Sequence, residues 1–348
     1  MSLTELSYYL RKFLPFGILI LLIILILYYL VQLAILSIQP EQKTNISLDP
    51  VFGKIKPPIL GKTTSSAGLN YTIDTLEGTP ITATSSADVY FLPTSPVRFG
   101  YREKIYLMAK TLGFDTEVVK HKLEGKEAVF KDENQTLTID ITNFNFTYEY
   151  SFENHPDIFE GAQAPDKTIS ISNAIEFLKT VDRYPAELTQ GKTNAILIKY
   201  DPALRKIFLT KEELSANMIE IDFYRPDMGS YIVVSPEYYN SQNYVMMVQS
   251  SSGYKIVKAQ VHFYEKSEAQ IGIYPIKTGD AAWQALKTGK GWAIQNPNVL
   301  RDVVIKEMFM GYLDPDIYQE YLQPVYVFLG ENNFVAYVPA VADEYFIE

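Results

Sequence analysis

Apolar positions fall into two kinds of stretch along this chain. From residue 13 to residue 38 they run almost unbroken, as FLPFGILILLIILILYYLVQLAILSI, with no charge between Lys12 and Glu41. A helix needs about 20 apolar residues to cross a hydrocarbon core of about 30 Å. The run is longer, so it predicts a transmembrane helix with some tilt. A buried core helix would show a polar face, and only Gln32 interrupts here. Arg11 and Lys12 precede the run, and Glu41 and Lys43 cancel after it, which favours a cytoplasmic N-terminus. A cleaved signal peptide has a shorter apolar region and a small-residue cleavage site. Ala34-Ile35-Leu36 is a poor match to that site. The expectation is a cytoplasmic stub over 1–12, an uncleaved signal anchor over 13–38, and a cell-membrane protein whose remaining chain is extracytoplasmic.

Residues 39–68 hold Pro40, Pro50, Pro57 and Pro58, then Lys62-Thr63-Thr64-Ser65-Ser66-Ala67-Gly68, and read as a linker. Beyond Leu69 the apolar stretches become short. Strands are predicted at Tyr71–Leu76 and Asp88–Leu92. Tyr101, Ile105, Met108 and Leu112 share one helical face within Phe99–Gly113. Strands follow at Ala128–Lys131, Thr136–Ile141 and Phe144–Phe152. Ser172 is the expected cap of a helix over Asn173–Asp182. After it come strands at Asn194–Tyr200, Met218–Tyr224 and Tyr231–Ser235, a hairpin of Tyr244–Gln249 with Tyr254–Tyr264, and a strand at Ala269–Tyr274. Thr278 caps a third helix over Asp280–Lys287, followed by strands at Val303–Gly311, Pro324–Leu329 and Phe334–Val338. A helix-then-strands scheme thus restarts near residues 99, 172 and 280. This predicts an α+β fold: an N-terminal transmembrane helix, then tandem modules of a helix packed on antiparallel sheet, over 69–165, 166–277 and 278–348.

Composition narrows the function. With 31 basic and 41 acidic residues the chain carries a net charge of −10, which excludes a phosphate-binding surface for nucleic acid as its main business. It has no cysteine, which removes disulfides, thiolate metal sites and cysteine nucleophiles together. At 14% aromatic it is not a disordered chain.

Motif by motif, chemistry finds little support. His121, His155 and His262 are far apart and show no metal-ligand spacing, so no metal or cofactor is expected. Gly61-Lys62-Thr63 and Gly191-Lys192-Thr193 lack the earlier glycine of a phosphate loop, where Lys56 and Ala186 stand, so no nucleotide is expected either. Ser252-Gly253-Tyr254-Lys255 matches S-x-x-K, and Lys277-Thr278-Gly279 and Lys287-Thr288-Gly289 match K-T-G. The serine, however, falls in a hairpin turn rather than at the start of a helix. Asp314-Pro315-Asp316 has two carboxylates suited to calcium but no further ligand spacing, and reads as a proline turn. Among 26 tyrosines, most of which should pack sheets, Tyr238-Tyr239 and Tyr318/Tyr321 sit in expected loops beside acidic residues. They are the candidates for a partner surface.

The C-terminal third supplies a resemblance. Asp280-Ala281-Ala282-Trp283-Gln284-Ala285-Leu286 is followed by Val303 through Gly311-Tyr312, by Leu322-Gln323-Pro324-Val325-Tyr326-Val327-Phe328, and by Phe334-Val335-Ala336-Tyr337-Val338-Pro339-Ala340. This order resembles the YycH/YycI family of two-component regulatory proteins, with a membrane anchor and PepSY- and cystatin-like outer modules. The resemblance implies a non-enzymatic protein that binds and regulates, or scaffolds, a membrane or envelope partner such as a sensor kinase. It transfers no site residue. The alternatives are a cell-envelope hydrolase acting on wall polymer through paired carboxylates, and a passive surface module binding a glycan or peptide.

Overall fold

The computed structural model describes residues 14, 16, 19–32, 48–61, 64–97, 99–250, 253–297 and 301–347. The chain divides into two units, residues 1–47 and 48–348.

In the first unit, residues 19–32 are helical. Among the described residues no helix is long and apolar enough to cross a membrane. The expected span over 13–38 lies partly outside the described residues. The signal anchor, and the cell-membrane placement and two-sided topology read from it, therefore do not stand.

The second unit opens with three short strands, β1 (Thr64–Ser65), β2 (Asn70–Ile73) and β3 (Ser86–Phe91). Helix α1 (Tyr101–Thr111) leads to β4 (Lys122–Glu124), β5 (Glu127–Lys131), β6 (Gln135–Asp140) and β7 (Phe146–Tyr150). Helix α2 (Lys167–Thr180) leads to β8 (Thr193–Asp201), β9 (Lys206–Leu209) and β10 (Met218–Phe223). Next come β11 (Val233–Val234), the hairpin β12 (Asn243–Ser250) and β13 (Gly253–Val261), and β14 (Ile271–Pro275). Helix α3 (Gly279–Lys287) precedes β15 (Trp292–Gln295), β16 (Asp302–Leu313), β17 (Tyr321–Gly330) and β18 (Val335–Pro339).

These strands make two nine-stranded sheets. One runs β4-β5-β6-β7-β13-β12-β10-β8-β9, antiparallel throughout, and comes from the middle of the chain. The other has the path β1-β15-β18-β17-β16-β11. Strand β2 lies parallel to β16, and β3 joins β14 to β17. Apart from β11, it is built from the two ends of the unit. The expected tandem of helix-on-sheet modules is corrected accordingly. Strand dominates the described residues, and the first and last strands belong to one sheet rather than to separate repeats.

Alternation explains the middle sheet. On β10, Ile219, Ile221 and Phe223 are fully buried, and on β7 Phe146, Tyr148 and Tyr150 are buried while Thr147 and Glu149 are not. That inner face meets Ile105 and Met108 of α1 and Ala174, Phe177 and Leu178 of α2. Each of these side chains except the small Ala174 contributes roughly 1.5–3 kcal/mol when withdrawn from water. In the terminal sheet β18 is buried along its whole length and β17 nearly so. Tyr326, Phe328, Ala336 and Val338 belong to a core with Trp283 and Leu286 of α3. Val325, Val327, Val335 and Tyr337 join a second core on the other face. A strand covered on both faces loses its alternation.

Helix α2 starts six residues earlier than the Ser172 cap implied. Asp166 Oδ1 accepts the Ile169 amide at 2.8 Å, while Ser172 Oγ donates back to the Thr168 carbonyl inside the helix at 3.1 Å. Thr278 caps α3 as expected, accepting from the Ala281 amide at 3.2 Å.

A buried cation joins the sheets. Arg225, just past β10, donates to Asp314 Oδ1 at 2.9 Å, to Glu187 Oε2 at 2.6 Å and to the Tyr264 carbonyl at 2.6 Å. Its guanidinium lies 4.0 Å from the Phe263 ring centroid. Asp314, just past β16, also accepts from Gln242 Nε2 at 2.8 Å. Its carboxylate is thus occupied by Arg225 and Gln242.

Candidate functional site

A cavity of about 440 Å³ opens where the two sheets meet. One wall is the turn after β6. Asp140 Oδ1 accepts from the Thr142 amide at 2.7 Å and its hydroxyl at 2.6 Å, and Oδ2 accepts from Asn143 Nδ2 at 3.2 Å. The turn forces Phe144 to a φ of 62°. Facing it is the turn after α2, where Asp182 has a φ of 51°. Left-handed backbone costs a residue with a side chain roughly 1–2 kcal/mol, and such positions concentrate at functional sites.

Lys104 of α1 holds both. Its Nζ meets Asp182 Oδ2 at 2.6 Å and the Asp182 carbonyl at 3.1 Å, and lies 4.3 Å from the Phe144 ring centroid. Arg183 is buried behind them, donating to the Phe263 carbonyl at 2.6 Å and to Asn145 Oδ1. That same oxygen accepts the Phe263 amide at 3.1 Å. The rim is aromatic. Tyr264 stands edge-on to Tyr318 with centroids 5.6 Å apart, and Tyr318 donates to the Leu92 carbonyl at 2.9 Å. Burial pushes the Tyr264 hydroxyl up to about 12, so it stays a neutral hydrogen-bonding group. Lys126 and Glu265 add exposed charges at the mouth. The wall therefore offers cations, carboxylates and aromatic edges in near balance, with most of its charged groups fixed by neighbours.

Of the four tyrosines expected from sequence, Tyr318 lines this cavity. Tyr321 packs against Phe52 and Phe91, with centroids 5.0 and 6.1 Å away, and borders a smaller cleft of about 140 Å³ shared with Tyr318. Tyr238 and Tyr239 form an edge-on pair at 4.8 Å elsewhere. Asp140, Phe144, Asp182 and Arg183 carry the cavity and were not singled out in the sequence. The Thr142-Asn143 pair was their one visible turn signal.

The histidines stay apart. His121 meets Tyr106 Oη at 3.2 Å, His155 meets Asn134 Oδ1 at 2.8 Å, and His262 meets Thr147 Oγ1 at 3.2 Å. Burial lowers the pKa of His121 and His262. Among the described residues no group of three or more His, Asp or Glu side chains could hold a metal ion.

Paired carboxylates do occur, at Glu220 and Asp222 on one face of β10, away from the cavity. Asp222 is fully buried, and its Oδ2 accepts from Tyr224 Oη at 3.0 Å. Burial, then the neighbouring Glu220, pushes its carboxyl up to about 7. The Tyr224 hydroxyl and the Ser241 backbone amide offset only part of that rise.

No family model matches this chain, and no curated protein matches it. A solved structure similar to it is an uncharacterized protein from Eubacterium rectale. That protein is 13% identical, with 77% of this chain and 87% of that chain covered at a TM-score of 0.35. A likeness at that level carries no argument about fold or function.

Proposed function

We propose that this chain is a non-catalytic binding protein, which regulates or scaffolds a protein partner by seating an extended segment of it in the cavity between the sheets. One observation carries this reading. Most charged groups of the wall are engaged in shaping it, as Lys104 is with Asp182 and Phe144, and they present a preformed, aromatic-rimmed surface. Preformed walls bind without an ordering cost, and tyrosine is among the side chains that contribute most at interfaces. The C-terminal resemblance to a regulatory family supports the same reading.

The test is photocrosslinking from Tyr318 and from Tyr184, which also lines the cavity beside Arg183, in the full chain, followed by binding to the captured partner. A single stoichiometric protein is expected at both positions, with affinity reduced roughly tenfold by Tyr318→Ala. Turnover of a wall polymer that survives Tyr318→Ala and is lost in Asp222→Asn would replace this reading with a hydrolase.

A further inference from the structure

The loop between β11 and β12 carries the tyrosine pair that the cavity leaves unused, and a single hydroxyl fastens its tip. Tyr224 Oη lies 3.0 Å from Asp222 Oδ2 and 3.1 Å from the Tyr239 carbonyl oxygen. A phenol carries one hydrogen, so it serves one of these acceptors at a time. The rest of the loop is pinned from other directions. Tyr337 Oη donates to the Ser235 carbonyl at 2.8 Å, and Gln295 Nε2 donates to the Glu237 carbonyl at 2.9 Å. Ser241 Oγ donates to the Phe223 carbonyl at 2.6 Å and ties the end of the loop to β10. Between these pins Tyr238 holds a left-handed φ of 62° and leans on the core of Val335 and Tyr337. Tyr239, edge-on to it at 4.8 Å, is 44% exposed.

The charge on Asp222 decides which acceptor the hydroxyl serves. An ionised carboxylate takes the hydrogen in a charge-assisted bond, roughly twice as strong as a neutral one. A neutral carboxyl is a weaker acceptor and can itself donate to the phenol oxygen, which turns the hydroxyl toward the Tyr239 carbonyl. The groups facing Asp222 place the proton on it. Glu220 is its neighbour on β10, and opposite these two on β8 stand the uncharged Asn194 and Ile196. Tyr244 is opposite Asp222 on β12. Lys258 of β13, paired with Glu149 of β7 at 2.9 Å, favours negative charge on Glu220, and Glu237 of the loop opposes it only in part. Asp222 is the fully buried member of the pair, so the proton settles there. The Ser241 amide bonds Asp222 as well, which keeps the end of the loop in place while its tip responds.

We propose that the Asp222 proton is a latch for the turn at Tyr239: with the carboxyl neutral, Tyr224 ties the turn to β10, and with it ionised, Tyr224 lets the turn go. The exposed tyrosine is then a fixed feature of the surface in mildly acidic surroundings and a loosened one above neutrality. The test is amide exchange in the full chain at about pH 6 and about pH 8, each measured against the unfolded chain at the same pH. The Tyr238 and Tyr239 amides donate to the Ser235 and Glu237 carbonyls at 3.2 and 2.8 Å. Their protection is expected to fall roughly fivefold at the higher pH, about the worth of one hydrogen bond. The Asn243 amide, bonded to Ser241 Oγ at 3.0 Å, should not change. Tyr224→Phe is expected to show the loosened turn at both pH values, and Asp222→Asn the fastened turn at both. Equal protection of Tyr238 and Tyr239 at the two pH values in the unaltered chain would overturn the proposal. So would a pH response that persists in either variant, or a loss of the same size at Asn243.

Discussion

Burial at Asp222 works against its charge. With the carboxyl pushed up to about 7, the folded chain keeps a proton that the unfolded chain releases near pH 4. The group therefore weakens the fold progressively from about pH 4 to about pH 7, and by a constant amount above. Asp222→Asn keeps the shape and supplies a permanent donor toward Glu220. It is expected to be more stable than the unaltered chain by up to about 4 kcal/mol above pH 7. The gap should close toward pH 4 in urea titrations, and a gap independent of pH would show that the proton is not held there. Arg225 is the opposite case, a buried charge with every direction answered. Arg225→Ala leaves Asp314 buried without its cation and should cost roughly 3–5 kcal/mol by denaturant unfolding. Arg225→Lys should recover only part, because an ammonium cannot serve three separately placed acceptors from one plane. Gly191, part of a failed phosphate-loop motif, has a packing explanation. A Cβ there would fall 1.7 Å from the Tyr224 carbonyl oxygen.

Helices and strands were legible wherever one face is buried and the other wet. β6 and β7 alternate because α1 and α2 cover one side of the sheet, and the sequence places both within about two residues. β9 escaped because its apolar residues are consecutive and exposed, a pattern that matches neither a buried strand nor an amphipathic one. The start of α2 was misplaced because Ser172 and Asp166 are both good caps, and only the chain's approach to the helix selects Asp166. Asp166→Ala should accordingly cost about 1 kcal/mol in thermal unfolding, and Ser172→Ala much less. The cavity was illegible for a different reason. Its walls come from segments around residues 93, 104, 140, 183, 264 and 318. The left-handed Phe144 and Asp182 are not glycines that would announce themselves.

Over the whole molecule, partner choice is what local pattern could not supply. A helix does precede strands three times in chain order, but the tandem modules expected from that order do not form: β2 takes β16 as its neighbour, with Asn70 and Asp302 bonded 232 positions apart. Distant pairing of this kind forms late, since loop closure precedes any gain from contact. The two ends of the unit also touch directly. The Ile55 amide donates to the Tyr345 carbonyl at 2.8 Å, the Ile347 amide to the Ile55 carbonyl at 2.9 Å, and Asp49 bridges Ile273. The unit is thus fastened like a clasp. Tension applied between residues 48 and 347 is carried by these few end contacts and the terminal sheet, while the middle sheet stays out of the line of force until the clasp has opened.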